Sequence, residues 1–260
     1  MNNAKMDRRF SGVIKLYGYE NYRKLQNSHV IIVGIGGVGS WAAEALARSG
    51  IGSITLVDLD NIAESNINRQ THSLVSTIGK SKVEVMSDRI AEINPECNVR
   101  AIEDFLSYEN IDSLIQTDCN SIIDCIDQVD IKVELSLYSV RNKLPLIVCG
   151  SAGGKTDVLK LLQGDISIAT NDPILSKMRN ILRRKYGFPT HVIKRNNKKS
   201  IPNMGITALW INQQIIIPSL NCDRGFTHNL SCSGYGSIVT VTATMGFVGA
   251  NIALNNILNY

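Results

Sequence analysis

A short run of β-branched residues, Val30-Ile31-Ile32-Val33, leads directly into Gly34-Ile35-Gly36-Gly37-Val38-Gly39. A helical pattern with Trp41, Ala42, Ala45 and Leu46 follows at once. Few sequence features constrain a fold as tightly. An all-apolar β-branched run suits a strand buried on both faces of a parallel sheet. The glycines let the backbone turn sharply and approach a phosphate, and the helix N-terminus behind them presents free N–H groups to the anion. Asp58 ends the next apolar run, Ser53 to Val57, about 20 residues further on, where a carboxylate can accept hydrogen bonds from ribose hydroxyls. Turn and carboxylate together predict a nucleotide-binding fold. They do not say which nucleotide.

The same rhythm extends in both directions. Phe10 to Gln26 reads as one or two short helices behind a polar tail, and Lys80 to Ile93 as a long helix stopped by Asn94-Pro95. Val99 to Ile102, Ser121 to Asp124 and Pro145 to Cys149 supply three more strands, with Val133 to Lys143 as a helix between the last two. Strands separated by helices imply an α/β fold, a Rossmann-like doubly wound and mostly parallel sheet with helices on both faces. After Gly150 the rhythm changes. Pro173 to Tyr186 reads as a basic helix, Phe188 to Ser200 as an exposed loop, and Ile215-Ile216-Ile217 as a strand. The expected organisation is one domain over residues 1–260. It comprises a helical segment (1–26), a nucleotide-binding core (27–154), a diverged basic region (155–222) and a buried C-terminal helix (223–260). With 44% hydrophobic and 19% charged residues, the chain can bury such a core, which excludes extensive disorder.

Charge is segregated. Nine of the 27 Lys and Arg lie between Pro173 and Cys222, where there is no Asp or Glu, leaving 18 basic against 23 acidic residues elsewhere. The nine are Lys177, Arg179, Arg183, Arg184, Lys185, Lys194, Arg195, Lys198 and Lys199, with Tyr186, Phe188 and His191 among them. A solvated helix face and a polar loop would account for an ordinary run of charges. The complete lack of acids and the interleaved aromatics favour RNA, whose phosphates pair with Lys and Arg and whose unpaired bases stack on rings.

The chemistry is written behind the second strand. Asp58-Leu59-Asp60 runs into Asn66-Ile67-Asn68-Arg69-Gln70 and then Gly79-Lys80-Ser81-Lys82. Hydride transfer has no need of Asn, Arg and Lys converging on phosphates. Adenylation does, because charge develops on the α-phosphate and on departing pyrophosphate. Arg69 and Lys82 can supply positive charge, and Asp127, just past a strand's carboxyl end, is the natural magnesium carboxylate.

Gly34 to Gly39, Asp58-x-Asp60, Asn66-x-Asn68-Arg69-Gln70, Lys82 and Asp127 together resemble the signature of the ATP-dependent adenylating enzymes that activate ubiquitin and sulfur-carrier proteins. By that resemblance ATP is held by Gly34, Gly36, Gly37, Gly39, Asp58, Asp60, Asn66, Arg69, Gln70 and Lys82, and magnesium by Asp127. Arg9-Phe10-Ser11-Gly12, Leu16-Tyr17-Gly18, Ser40 to Arg48, Ile93 to Cys97, Gly150 to Gly154, Asp172-Pro173 and Val241 to Val248 are similar to one branch, the tRNA threonylcarbamoyladenosine dehydratases. The resemblance implies a homodimer that uses ATP to cyclise the threonylcarbamoyl group on the adenosine beside the anticodon. It leaves room for a sulfur-transfer partner protein. The six cysteines never fall as C-x-x-C, the spacing with which sulfur-carrier-activating relatives hold zinc, so no zinc is expected. The chain departs from the family at Gly12, where many relatives have an arginine, and at residues 203–209, where the branch carries a cysteine-containing stretch. Two other readings stay open: activation of the C-terminus of a ubiquitin-like or sulfur-carrier protein, and a nicotinamide-dependent oxidoreductase. An RNA-binding protein without catalysis is a weaker one.

Cys222 and Cys232 flank a glycine-rich turn and suit a nucleophile or a sulfur acceptor, but buried packing explains a free cysteine as well, and Cys125 and Cys149 likewise. His72, two residues after Gln70, is placed to touch nucleotide, but a capping or packing role is favoured. Ser237 to Leu258 carries no charge and is long enough to span a bilayer. Its threonines and asparagines, and its lack of flanking Lys or Arg, favour a buried helix, with peripheral membrane contact as the alternative. Met1 to Arg9 is polar and charged, unlike an export signal, so the expected compartment is the cytoplasm.

Overall fold

The computed structural model describes residues 8–190, 193–195, 198–216 and 235–259, with backbone alone for 193–195 and 198–200. The expected tail through Asp7, His191, Ile217, Cys222 and Cys232 lie outside the described residues. Two short helices, α1 (Ser11–Tyr17) and α2 (Tyr19–Gln26), precede β1 (His29–Val33), α3 (Gly39–Arg48), β2 (Ser53–Val57), α4 (Lys82–Ile93) and β3 (Asn98–Ile102). Next come α5 (Ile111–Leu114), β4 (Ser121–Asp124), α6 (Val129–Asn142), β5 (Leu146–Cys149) and β6 (Leu161–Asp165). The chain continues with α7 (Pro173–Tyr186), β7 (Ile193–Arg195), β8 (Lys198–Ser200), β9 (Thr207–Ile211) and α8 (Val239–Leu258).

Seven strands form one sheet in the order β3-β2-β1-β4-β5-β9-β6, parallel throughout except for the antiparallel pair β6–β9. Successive residues of a strand face opposite sides, and here both sides are cores. Val30 and Ile32 of β1 join a cluster with α3, α4 and α8, whereas Ile31 and Val33 join one with α5, α6 and α7. The doubly wound α/β sheet expected from the sequence is the fold observed. Its strand order reverses between β1 and β4. Ligands bind at such a reversal, outside the carboxyl ends of the strands.

The later half of the chain departs from the sequence reading. The strand expected at Ile215 to Ile217 is not formed at Ile215 and Ile216, and the last parallel strand is β9, Thr207 to Ile211. Three consecutive isoleucines carry strong local propensity, but pairing and burial on both faces decide a central strand. Ala208, Leu209, Trp210 and Ile211 are all buried between β5 and β6. The edge strand β6 (Leu-Leu-Gln-Gly-Asp) has little β propensity and is held by five register pairs to β9. Phe188 to Ser200, expected as a loop, contains the two-stranded antiparallel ribbon β7–β8.

The uncharged C-terminal segment is a buried helix. Among the described residues α8 alone is long and apolar enough to cross a membrane, and it lies against α3, α2 and the sheet. Gly246 permits the approach. A Cβ there would stand 2.5 Å from the Val38 carbonyl oxygen and 2.9 Å from the Ala42 nitrogen.

Two stability predictions follow from this packing. Gly246→Leu forces a side chain into the α3–α8 contact and should cost about 1–3 kcal/mol, read as a lower urea midpoint at unchanged slope; an unchanged midpoint would refute close contact. The second concerns His72, which is 1% exposed and whose ring nitrogens have no partner among the described residues. Burial, aided by the charges of Lys82 and Arg89, pushes its imidazole down to about 4 from the ordinary 6.5. Below pH 6.5 the unfolded chain therefore takes up a proton that the folded chain refuses until about pH 4. This contribution is complete above the unfolded value and is lost as pH falls through that window. Between pH 7 and pH 4.5, the parent should lose about 2–3 kcal/mol more than His72→Phe. Equal acid losses in urea titrations of the two proteins would show that another group titrates.

Candidate functional site

A cavity of about 640 Å³ opens at the carboxyl ends of β1, β2, β4 and β5. The glycine turn after β1 forms its floor, and each glycine has a distinct steric reason. Gly34 takes φ +89°, and a Cβ there would stand 2.9 Å from the Cys125 carbonyl carbon after β4. At Gly37 a Cβ would meet Thr242 of α8 at 2.9 Å. Among the described residues beyond its chain neighbours, the nearest atom to the ideal Cβ position of Gly36 is Gln70 Nε2 at 3.9 Å, so the space it leaves belongs to the cavity. Gly39, expected to contact nucleotide, is not among the lining residues. A Cβ at that position would fall 1.9 Å from the Gly34 carbonyl oxygen, so the missing side chain lets α3 start against the turn.

Every other expected nucleotide residue lines this one cavity: Asp58, Asp60, Asn66, Arg69, Gln70, Lys82 and Asp127 join the three remaining glycines. The Asp58 carboxylate caps the turn, accepting the Ile35 N–H at 2.6 Å and the Asp60 N–H at 2.9 Å. Burial pushes its carboxyl up, and the Lys82 charge opposes that shift. Lys82, the first residue of α4, is itself buried and lies 2.6 Å from Asp60 Oδ2 and 3.9 Å from Asp58 Oδ1. Asn66 folds its own loop, its Oδ1 accepting the Ala63 N–H at 3.0 Å. The Arg69 guanidinium donates to the Ser65 carbonyl at 2.6 Å and to Asn68 Oδ1 at 2.9 Å. Its backbone carbonyl accepts from Trp41 Nε1 at 3.0 Å and from Thr242 Oγ1 at 3.2 Å, so α3 and α8 both orient it. Asp127 is exposed on the wall after β4 and makes no side-chain hydrogen bond among the described residues.

Four carboxylates (Asp58, Asp60, Asp104, Asp127) and two cations (Arg69, Lys82) therefore face the cavity. Among the described residues no group of three His, Cys, Asp or Glu side chains is arranged to hold a metal. A lone free carboxylate nonetheless fits magnesium, which is commonly held by one or two carboxylates together with substrate phosphates and water. Sequence reasoning missed several lining residues. Phe105 and Leu106 follow the carboxyl end of β3, a position that the sheet rule itself marks. Ser237 and Thr242 had no local signal, because the α3–α8 contact carries Thr242 to Arg69 across 173 residues of sequence.

The expected RNA-facing residues lie elsewhere. Lys177, Arg184 and Lys185 are exposed on α7, and Arg183 donates to the Pro189 carbonyl at 3.0 Å. Arg179 corrects the sequence reading: its guanidinium turns inward to the carbonyls of Ala169 (2.6 Å) and Ile166 (3.2 Å) and braces α7. Lys194 and Arg195 fall on β7, and Lys198 and Lys199 on β8. Cys125 lines the cavity with its Sγ 3.9 Å from that of buried Cys149, and burial pushes Cys97 and Cys119 up, to about 11 and about 12.

Comparison with known proteins agrees with this architecture. The chain is 41% identical over 254 residues to the tRNA threonylcarbamoyladenosine dehydratase of Haemophilus influenzae, covering 97% of this chain and 94% of that protein. It is 38% identical over 258 residues to the Escherichia coli protein of the same name, with 96% and 93% covered. The crystal structure of the Escherichia coli enzyme in complex with ATP superposes with a TM-score of 0.83 at 37% identity, covering 96% of this chain and 94% of that one. The ThiF family model matches residues 9–260, from the first helical turn through α8. A match that takes in the glycine turn, the cavity walls and the helix that orients Arg69 places the chain in the ThiF family, in its tRNA threonylcarbamoyladenosine dehydratase branch.

Proposed function

We propose that this chain is an ATP-dependent enzyme that adenylates and cyclises the threonylcarbamoyl carboxylate on the adenosine next to the tRNA anticodon. The observation that carries the reading is the convergence of Arg69, Lys82 and Asp127 on the cavity floored by the glycine turn. The carboxylate oxygen attacks the α-phosphorus, the bond to pyrophosphate breaks, and an acyl-adenylate forms. A nucleophile of the modified base then attacks the acyl carbon and AMP departs. The second step needs no protein nucleophile, because an intramolecular group has a high effective molarity. Free N–H groups of the turn and of α3 bind phosphate, while Arg69 and Lys82 face the charge that develops on it. With carboxylates outnumbering cations around the cavity, a triphosphate needs a further cation. Asp127 would hold magnesium, which supplies that neutralisation when bound.

The tRNA is expected along α7. This 14-residue helix starts at the cavity wall, which Ile174 lines, and ends in Arg183, Arg184 and Lys185 about 15 Å away at 1.5 Å per residue. A substrate with its reacting group in the cavity would thus lay phosphates beside the basic end. The same reading includes a homodimer working in the cytoplasm. Activation of a protein C-terminus is the second reading, and the absence of C-x-x-C pairs disfavours it.

Asp127→Ala should lower AMP formation from threonylcarbamoylated tRNA by about a hundredfold or more with an unchanged melting temperature, because the side chain supports no other group. Tight NAD binding without ATP binding by the parent would sink the adenylation reading. Replacing Lys177, Arg184 and Lys185 together by Ala should weaken tRNA binding, and flatten its dependence on log salt by roughly 0.7–0.9 per lost contact. It should raise KM for tRNA more than it lowers kcat, and leave ATP affinity alone. An unaltered salt slope would make this helix end a solvated surface.

A further inference from the structure

Behind the wall that carries Asp127 lies a buried ion pair that nucleotide binding does not use. Lys132, in the second turn of α6, and Asp124, the last residue of β4, are both 0% exposed. Lys132 Nζ is 2.9 Å from Asp124 Oδ1 and donates to the Asp124 carbonyl oxygen at 3.2 Å. Asp124 Oδ1 also accepts the Ile126 N–H at 3.0 Å, and the Lys132 N–H donates to the Gln128 carbonyl at 3.1 Å. The pair therefore ties together the two ends of the segment Cys125 to Gln128, and every residue of that segment lines the cavity.

Stability alone does not explain such a pair. Two apolar side chains of similar volume are often as stabilising as a buried ion pair, because desolvation costs about as much as the attraction returns. Asp124 Oδ2 is also left without a hydrogen-bond partner among the described residues, a further cost. Asp127, in contrast, makes no side-chain hydrogen bond among the described residues, so the backbone that carries it is what sets where its carboxylate can reach. We infer that Lys132, through Asp124, is a positioning residue that fixes the Cys125–Gln128 segment so that Asp127 meets the metal–nucleotide complex. This rests on the adenylation reading for the part it gives Asp127.

The test is calorimetric ATP binding to the full chain, with magnesium and with EDTA, for the parent, Asp127→Ala, Lys132→Met and the double variant of the last two. In the parent, magnesium should strengthen ATP binding, and Asp127→Ala should remove most of that gain. Lys132→Met should reduce the gain at least fivefold while changing the affinity in EDTA by less than twofold. Added to Asp127→Ala, it should cost almost nothing more, because both act through one carboxylate. Should Lys132→Met fail to fold with Asp124 left unpaired, Asp124→Leu with Lys132→Met removes both charges and should show the same loss of the magnesium gain. An undiminished gain in the variant that folds overturns the inference, as does an equal loss in EDTA, which marks a general distortion of the site. A magnesium gain that survives Asp127→Ala overturns both this inference and the metal role proposed for Asp127. ATP binding with a normal magnesium gain, but no AMP from threonylcarbamoylated tRNA, counts against the choice of acceptor alone and leaves the Lys132 result standing.

Discussion

How closely β1 and β4 can approach at their carboxyl ends governs the rest of the molecule. Gly34 lies against the Cys125 carbonyl with no room for a Cβ, and Gly39 lies against the Gly34 carbonyl in the same way. Those contacts let the turn tuck under α3 and bring the helix N-terminus to the cavity floor. Any side chain at either place would part the strands or lift the helix. The sheet's reversal of strand order falls at the same point, so one steric requirement creates the crevice and sets its depth.

The second dependence runs through α8. Its contact with α3 is built on small residues, with Ala42 facing Gly246, and buried among apolar neighbours. The contact reaches the site by two hydrogen bonds, from Trp41 and Thr242, to a single acceptor, the Arg69 carbonyl. Asn68 adds a third link by donating to the Ser237 carbonyl at 2.9 Å. Arg69, which lines the cavity, is thus oriented by a helix from the far end of the chain. An apolar segment that reads as a membrane candidate by composition has Val241, Met245, Ala250, Ile252, Ala253, Leu254 and Leu258 engaged in that packing.

Buried polar groups organise the remaining walls. Asp172, the N-cap of α7, accepts the Ser151 N–H at 2.8 Å and the Leu175 N–H at 2.9 Å, pinning the loop after β5. Asp124 does the same for the loop after β4. Burial pushes both carboxyls up; Lys132 draws Asp124 back, and at Asp172 the Leu175 and Ser151 N–H groups oppose the shift, followed by Lys155 and then Lys132. Fixed loops suit chemistry in which charge develops at one place, since donors that need not reorganise stabilise it best.

Much of this was legible in the sequence, wherever a local rule and the tertiary outcome coincided. Apolar β-branched runs and helical spacing located β1 to β5, α3, α4, α7 and α8, because a strand buried on two faces and a helix beside it leave periodic signatures. The glycine turn, Asp58, Arg69, Lys82 and Asp127 were legible as a set because phosphate chemistry calls for those residue types together, and all of them line the one cavity. The basic stretch was legible as charge. Its shape was not, for Arg179 turns inward to carbonyls that only the packed fold brings near. Nor did local propensity distinguish β9 from the isoleucines that follow it, since a central strand is chosen by the neighbours on either side. The sequence by itself determined the class of fold and the chemistry of the site. Tertiary structure alone decided that Thr242 reaches Arg69, that Gly39 lies against the Gly34 carbonyl, and that a hidden Lys132–Asp124 pair stands behind Asp127. Contacts between residues far apart in the chain depend on how whole elements dock, which no local pattern encodes.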